Sequence, residues 1–363
     1  MKIVIPYFAL LLLCVIIIPS YKIINNEEAS ISKSEIKKEL YIFYLLLIIL
    51  CIFTGFRHIV ANSIDEYAYR NRWDQYSKIS YFSIFRENPN EFLFSLFYWL
   101  STKLFTTNQG GILFTAIFIT SSILYVLRRD CSDFKYGLLL TFATGWLWDS
   151  FNGIQQCSAS VLFFLSLRFI INHQFIYYCI NVIMCMCVHQ VSLVLFPIYF
   201  LADIKINRKR QIIMFFCIIF FLLFLYHYTY VLSRFIVTLE QYSDIVYRDR
   251  HGVNIITRII SIVPAIVAFY IFPKIPNSDI MTRFCANMTF VNAAIMMAAF
   301  KDTYIARFAL FTSFFIILFF SRIGKYFPTQ KEFILFKCVS IVLYSIVTYL
   351  KMYNSMYYFS FSL

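Results

Sequence analysis

The chain has 363 residues, of which 61% are hydrophobic and 14% charged, with a mean hydropathy of +0.72. A soluble domain is about 45–50% apolar and about 25% charged, so a soluble enzyme, a disordered chain and a disulfide-built secreted scaffold are excluded. The net charge of +13 does not point to nucleic acid: no basic stretch is long enough to track its backbone, and the Lys and Arg gather in short loops, as cytoplasmic loops of membrane proteins do.

Apolar runs fall at 3–19, 41–56, 90–106, 112–127, 136–150, 154–171, 175–202, 212–232, 257–273, 281–300, 304–321 and 333–350. The recurrence of membrane-length runs predicts an all-α polytopic membrane protein, a single transmembrane domain over 1–363. Met1-Lys2-Ile3 and a greasy stretch to Pro19 lack the positive start and small-residue site of a signal peptide, so the first run reads as an uncleaved span. Positive clusters follow four runs: Lys22, Lys33, Lys37 and Lys38; Arg128, Arg129 and Lys135; Lys205, Arg208, Lys209 and Arg210; Arg322, Lys325 and Lys331. All four are expected on the cytoplasmic side.

Simple alternation then conflicts twice with the charges. Lys38 and Arg128 must share a side, yet three apolar runs lie between them. The run 90–106 carries Glu91, Ser95 and Lys103 and is expected to lie in the interface as an amphipathic helix. Residues 57–111 then form one external segment. The second conflict is 175–202, whose two ends both belong to the cytoplasm. His189-Gln190 splits it into pieces of roughly 20 Å, too short for a core of about 30 Å. A re-entrant hairpin with its tip in the outer leaflet is expected, two thin full spans being the alternative. About ten crossing helices, the hairpin and the interfacial helix result, with both termini outside and a second external segment at 233–256.

The external segments carry more charge than the topology rule predicts. Segment 57–89 holds Arg57, His58, Asp65, Glu66, Arg70, Arg72 and Asp74, and segment 233–256 holds Arg234, Arg248, Arg250 and His251. Arginine pairs bidentately with phosphate, so an anionic ligand on the outer face is one reading and a solvated loop with internal ion pairs the other. Asp65 and Glu66 are adjacent and cannot face the same way on a helix. At most one reaches a site, where a carboxylate can take a proton from a hydroxyl. Trp146, Trp148, Asp149, Asn152, Gly153, Gln155 and Gln156 cluster at the start of the 154–171 run, suited to stacking on and bonding to sugar or to an aromatic belt with a helix cap. His189, Gln190 and Ser192 are polar groups at membrane depth. Arg307 lies one turn into the membrane, where it can bind phosphate, pair with Asp302 or snorkel. No P-loop, Gly-rich nucleotide fingerprint, HExxH or paired Cys-x-x-Cys occurs among the ten cysteines, so neither a cofactor nor a metal is expected.

Several of these residues stand in a familiar order. Gly55-Phe56-Arg57, then Asp65 and Tyr69, resemble the EpsG-type motif of Arg, Gly-x-Asp and Tyr after an early span. Phe151-Asn152-Gly153-Ile154-Gln155-Gln156 resembles that family's Asn-x-x-Arg-Gln, with Gln155 where the family has Arg. Val188-His189-Gln190-Val191-Ser192-Leu193 resembles its Phe-His-x-Ser-Ala-Leu, and Arg307-Phe308-Ala309 its late Arg-containing helix. The family includes Wzy-type O-antigen and exopolysaccharide polymerases of bacterial inner membranes. A wider likeness to GT-C membrane glycosyltransferases rests on Asp65-Glu66-Tyr67, Pro89, the 90–106 helix and Arg128-Arg129 in that order.

The resemblance implies a polymerase acting on undecaprenyl-pyrophosphate-linked glycans at the periplasmic face of the inner membrane, with membrane lipid and a chain-length regulator as partners. It implies Asp65 or His189 as the base and Arg57 at the pyrophosphate. Arg248, Arg250 and Arg307 are further candidates for phosphate, Arg70 and Glu66 for substrate binding, and Trp148, Asn152, Gln155 and Gln156 for a glycan groove. A lipid-linked polysaccharide flippase and a membrane O-acetyltransferase are the alternatives.

Overall fold

The computed structural model describes residues 4–17, 33–60, 64–87, 89–201, 208–233, 253–300, 303–354 and 358–361. In chain order the elements are α1 (Val4–Ile17), α2 (Lys33–Gly55), β1 (Arg57–Val60), α3 (Ile64–Tyr76), α4 (Tyr81–Glu87), α5 (Phe92–Leu104), α6 (Gln109–Asp130), α7 (Phe134–Ala143), α8 (Trp146–Asn152) and α9 (Ile154–Leu165). There follow α10 (Leu167–Ile171), α11 (Phe175–Val188), a 3-10 run (Gln190–Leu201), α12 (Arg208–Ser233), α13 (Ile255–Ile271), α14 (Ile280–Ala298), α15 (Thr303–Arg307), α16 (Phe314–Arg322), α17 (Gln330–Asn354) and β2 (Tyr358–Phe361). This is an all-α polytopic membrane protein; the short β1 and β2 pair antiparallel, Arg57 opposite Phe361.

Among the described residues, four helices are long and apolar enough to cross a membrane: Gln109–Asp130, Ile154–Ile171, Ile255–Lys274 and Gln330–Met352. A fifth counts if the bent pair Ile305–Phe311 and Phe314–Tyr326 is one span. Shorter apolar helices lie at Ile5–Cys14, Leu40–Gly55, Phe134–Ala143, Phe175–Val188 and Gln190–Leu201, and several of the apolar runs are broken by their own residues.

The run 136–150 breaks at Gly145, whose φ of +76° a side chain would strain. A Cβ there would also lie 2.9 Å from Thr348 Oγ1, which donates to the Ala143 carbonyl at 2.7 Å. The chain thus turns between α7 and α8, and α8 leads directly into residues 151–156.

The run 175–202 reverses. His189 ends α11 in an extended conformation (φ −154°, ψ 115°). The Tyr178 hydroxyl then donates to the Leu195 carbonyl. Continued straight, those two residues would stand more than about 25 Å apart, so the chain turns back after His189 and brings Leu195 to α11. Such a reversal is common to the expected re-entrant hairpin and to its alternative of two thin full spans.

Contacts divide the chain into two units, residues 1–196 with 328–363, and residues 197–327. In the first, the helical stretch 154–171 is central, 72% of its apolar window being buried, whereas 22% of the Gln330–Met352 window is. Val339, Val342 and Ile346 of α17 are left for lipid. Residues 57–111 are helical throughout most of their length. Phe94, Ser95, Tyr98 and Ser101 form the buried face of α5, at helical spacing. Gly111 of α6 lets that face close: a Cβ would sit 2.6 Å from Trp73 and 2.7 Å from the Tyr98 hydroxyl. Arg129 donates to the Phe164 and Leu165 carbonyls at 2.9 Å, tying the end of α6 to the end of α9.

In the second unit, Asp279 caps α14 through the Thr282 backbone N–H (3.2 Å) and hydroxyl (2.8 Å). It also accepts from Lys325 (2.7 Å) and the Tyr326 hydroxyl (2.6 Å). The Thr312 hydroxyl donates to the Asn292 side chain at 2.9 Å, joining the bend after α15 to α14.

Candidate active site

Helix α3 presents two stripes, and each serves a different polar cluster. Glu66, Arg70 and Trp73 share one face, Asp65, Tyr69 and Arg72 the next.

The first stripe meets Arg57, just beyond the end of α2. Arg57 and Glu66 are each 2% exposed, with Arg57 Nε 3.8 Å from Glu66 Oε2. The remaining guanidinium nitrogens donate to main-chain carbonyls, Nη1 to Thr54 and Nη2 to Phe151 at 3.1 Å. The guanidinium also lies 4.5 Å from the centre of the Phe151 ring. Burial lowers the Arg57 pKa to about 10, with Glu66 opposing and Arg70 adding to the fall. Arg70 donates to Glu66 Oε1 (2.8 Å), the Gln109 side chain (2.7 Å) and the Asn108 side chain (3.1 Å). Gln109 in turn donates to the Gly55 carbonyl, and Asn108 to Asp74. This network braces the end of α2 against α3, α6 and the 151–156 segment. Of Asp65 and Glu66, the structure turns Glu66 inward.

The second stripe meets α9, the hairpin bend and the start of α5. Glu91 Oε1 accepts from His189 Nδ1 at 3.1 Å and from the Gln190 backbone N–H at 3.3 Å. Glu91 Oε2 accepts from Gln155 Nε2 at 2.6 Å, and that nitrogen also donates to the Val188 carbonyl at 2.9 Å. Arg72 donates to Gln155 Oε1 at 3.4 Å and lies 5.6 Å from the Tyr69 ring centre. The Tyr69 hydroxyl accepts from the Gln155 backbone N–H at 3.1 Å. Burial raises the Tyr69 pKa to about 12, so the phenol stays protonated. Burial also raises that of Glu91, but the bonds from His189, Gln155 and Gln190 outweigh it and hold the carboxyl below its usual range. Glu91 is therefore an anion. Among the described residues Arg72 has no carboxylate at ion-pair distance, and His189 Nε2 has no hydrogen-bond partner.

The sequence model of the EpsG family matches residues 40–363. The chain belongs to the EpsG family. Comparison with curated proteins and with solved structures gave no match. Membership in the EpsG family, with the apolar helices, supports a membrane protein of polysaccharide biosynthesis and a polymerase-type role.

Three of the segments that resemble EpsG motifs converge in the first unit. Arg57, the 151–156 segment and His189 are linked through α3 and Glu91. Arg57, expected at the pyrophosphate, is buried beside Glu66 with Nη1 and Nη2 on main-chain carbonyls. Asp65 is half-buried in the first turn of α3, on the Tyr69 stripe. Gln155, the position that departs from the family's Arg, is buried and bonded to Glu91, and Arg72 reaches the same place from α3. Gln156 is buried in α9, Trp148 is buried with its ring 5.8 Å from Phe151, and Asn152 ends α8 half-buried. Arg307 ends α15 in the second unit and is exposed. Arg248 and Arg250 lie outside the described residues. No group of three or more metal-ligating side chains occurs among the described residues.

Sequence reasoning missed Glu91, Arg72, Asn108 and Gln109 as members of these clusters. The signal for Glu91 was a lone acid after Pro89, at the head of an otherwise apolar run. The signal for Arg72 was its place three residues beyond Tyr69.

Proposed function

We propose that this chain polymerises undecaprenyl-pyrophosphate-linked oligosaccharide repeat units into O-antigen- or capsule-type polysaccharide at the periplasmic face of the bacterial inner membrane. The reaction is glycosyl transfer. The bond between the donor's anomeric carbon and the pyrophosphate oxygen breaks, the electron pair leaves with the lipid pyrophosphate, and the acceptor's hydroxyl oxygen forms the new bond. Pyrophosphate is a weak base and needs no general acid. The site must supply a cation for the charge that develops and a base for the hydroxyl proton.

One observation carries this reading. Tyr69, Arg72, Glu91, Gln155 and His189, from distant segments, form one half-buried cluster that holds both requirements. Arg72 is the cation without a carboxylate partner, and its planar fork suits phosphate. His189 is the base, with Asp65 on the same stripe of α3 as Tyr69 and Arg72. Arg57, buried with Nη1 and Nη2 on main-chain carbonyls, supports the site from behind.

The test uses purified protein with lipid-linked oligosaccharide extracted from a strain that lacks this chain. Products rising in regular steps of one repeat unit are expected, with release of the lipid pyrophosphate. A wild-type protein that yields no chain extension overturns the reading. Acetyl incorporation without growth would identify the acetyltransferase alternative, and movement of the intact lipid-linked unit between leaflets the flippase.

A further inference from the structure

Glu91 lies outside the four segments that resemble EpsG motifs, yet it is the residue on which the second cluster is built. Among the described residues its carboxylate meets no Lys or Arg. Both oxygens are instead filled by directed donors, His189 Nδ1 and the Gln190 N–H on Oε1, and Gln155 Nε2 on Oε2. Gln155 cannot turn its amide over, because Arg72 donates to its oxygen while its nitrogen also serves the Val188 carbonyl.

We propose that Glu91 is the positioning carboxylate of this site, holding the Nδ1–H of His189 so that Nε2 presents its lone pair as the base. The inference deepens the polymerase reading and rests on it. An ionised carboxylate only accepts hydrogen bonds, so the ring nitrogen facing it must carry the proton. In the neutral ring Nε2 is then the acceptor. The ring is 17% exposed and stands at the hairpin bend, where its position is fixed from one side by Glu91 and from the other by α11.

The proton balance follows directly. The acceptor hydroxyl gives its proton to Nε2 as its oxygen bonds to the anomeric carbon, and the pyrophosphate leaves with the electron pair. The ring becomes imidazolium while Glu91 stays ionised beside it, so the new positive charge forms against an anion already in place. Among the described residues, Arg72 and Tyr69 of α3 are linked to the ring through Gln155, with Asp65 acting on Tyr69, and α9 contributes the neutral amide of Gln155. Arg72 thus sits on the far side of Gln155 from the base, where a pyrophosphate can approach it without meeting Glu91.

The test is nitrogen NMR of the full chain in lipid nanodiscs with 15N-labelled histidine, the His189 signals being assigned by their loss in His189→Gln. At a pH where the ring is neutral, wild type should show the proton on Nδ1 alone. Glu91→Ala should lose that single tautomer, slow chain extension by about 10²- to 10³-fold, and regain both when formate is added to fill the vacated space. A wild-type ring protonated on Nε2 overturns the proposal. So does a Glu91→Ala protein with unchanged tautomer and rate. If Glu91→Ala does not fold, the wild-type spectrum decides by itself. A wild type that shows the Nδ1 proton but no chain extension would sink the polymerase reading and leave the Glu91–His189 pairing standing.

Discussion

The two stripes of α3 serve two clusters that use the same residue types and end in opposite states. Around Arg57 the charges are enclosed: Glu66 lies between Arg57 and Arg70, Arg57 Nη1 and Nη2 go to main-chain carbonyls, and Arg57 Nε faces Glu66 Oε2 at 3.8 Å. Around His189 the arrangement is left open, with Nε2 and most of the Arg72 fork still available. An enclosed ion pair adds rigidity and has no face open to a substrate. A half-buried cluster with open valences is where a substrate can bind. On the proposed reading, the arginine more prominent in the sequence, Arg57, accordingly takes the structural part and Arg72 the chemical one.

Substitutions can pull this contrast apart. The largest effect is expected for His189→Gln, which should cut chain extension by about 10²- to 10⁴-fold while the unfolding temperature in detergent stays near wild type; normal ladders from this variant would end its role as base. Arg57→Ala should do the reverse. It leaves Glu66 half-paired in a buried place and should cost about 3–5 kcal/mol of stability, read by thermal unfolding, with activity lost only in proportion to unfolded protein. Arg72→Gln should lower the rate by about 10²- to 10³-fold and leave stability unchanged, and an Arg72→Gln protein that instead unfolds early would return Arg72 to the structural side.

Smaller effects probe the scaffold. Gly145→Ala forces a side chain into a left-handed turn against Thr348 and should cost about 1–3 kcal/mol, measured by the same unfolding assay. Asp279→Ala removes a helix cap and should cost about 0.5–2 kcal/mol. Burial alone would raise the Asp279 pKa, but bonds from Lys325, Tyr326 and Thr282 and the charge of Arg322 hold it below the usual carboxylate range. Its folded value is thus below its unfolded one. The stabilisation is complete above about pH 4, where the unfolded carboxylate is ionised, and disappears as pH falls further. Asp279→Ala and wild type should converge in stability only in strong acid.

The membrane class was legible because long apolar runs have no other use, and the reversal at His189 because two positive flanks cannot sit on opposite sides of one helix. The break at Gly145 was not legible. A single glycine within an apolar run carries no sign of the turn that Thr348, some two hundred residues later, packs against. For the site, the sequence required that only one of Asp65 and Glu66 face inward, but which one depends on where Arg57 lies. Glu91 was hidden for the same reason: an acid at a helix start gains its meaning only when the hairpin brings a histidine to it. Spacing along one helix can be read directly, whereas a meeting of four segments cannot.

The location of the bend also dictates when this protein becomes competent during its synthesis. Glu91 and α3 emerge from the ribosome long before the hairpin does, and until residues 175–201 have inserted and doubled back they hold an acid with nothing to orient. The reactive arrangement is completed by a fold-back event rather than by translation of any one motif. A nascent chain stalled ahead of that event therefore lacks the pairing of Glu91 with His189.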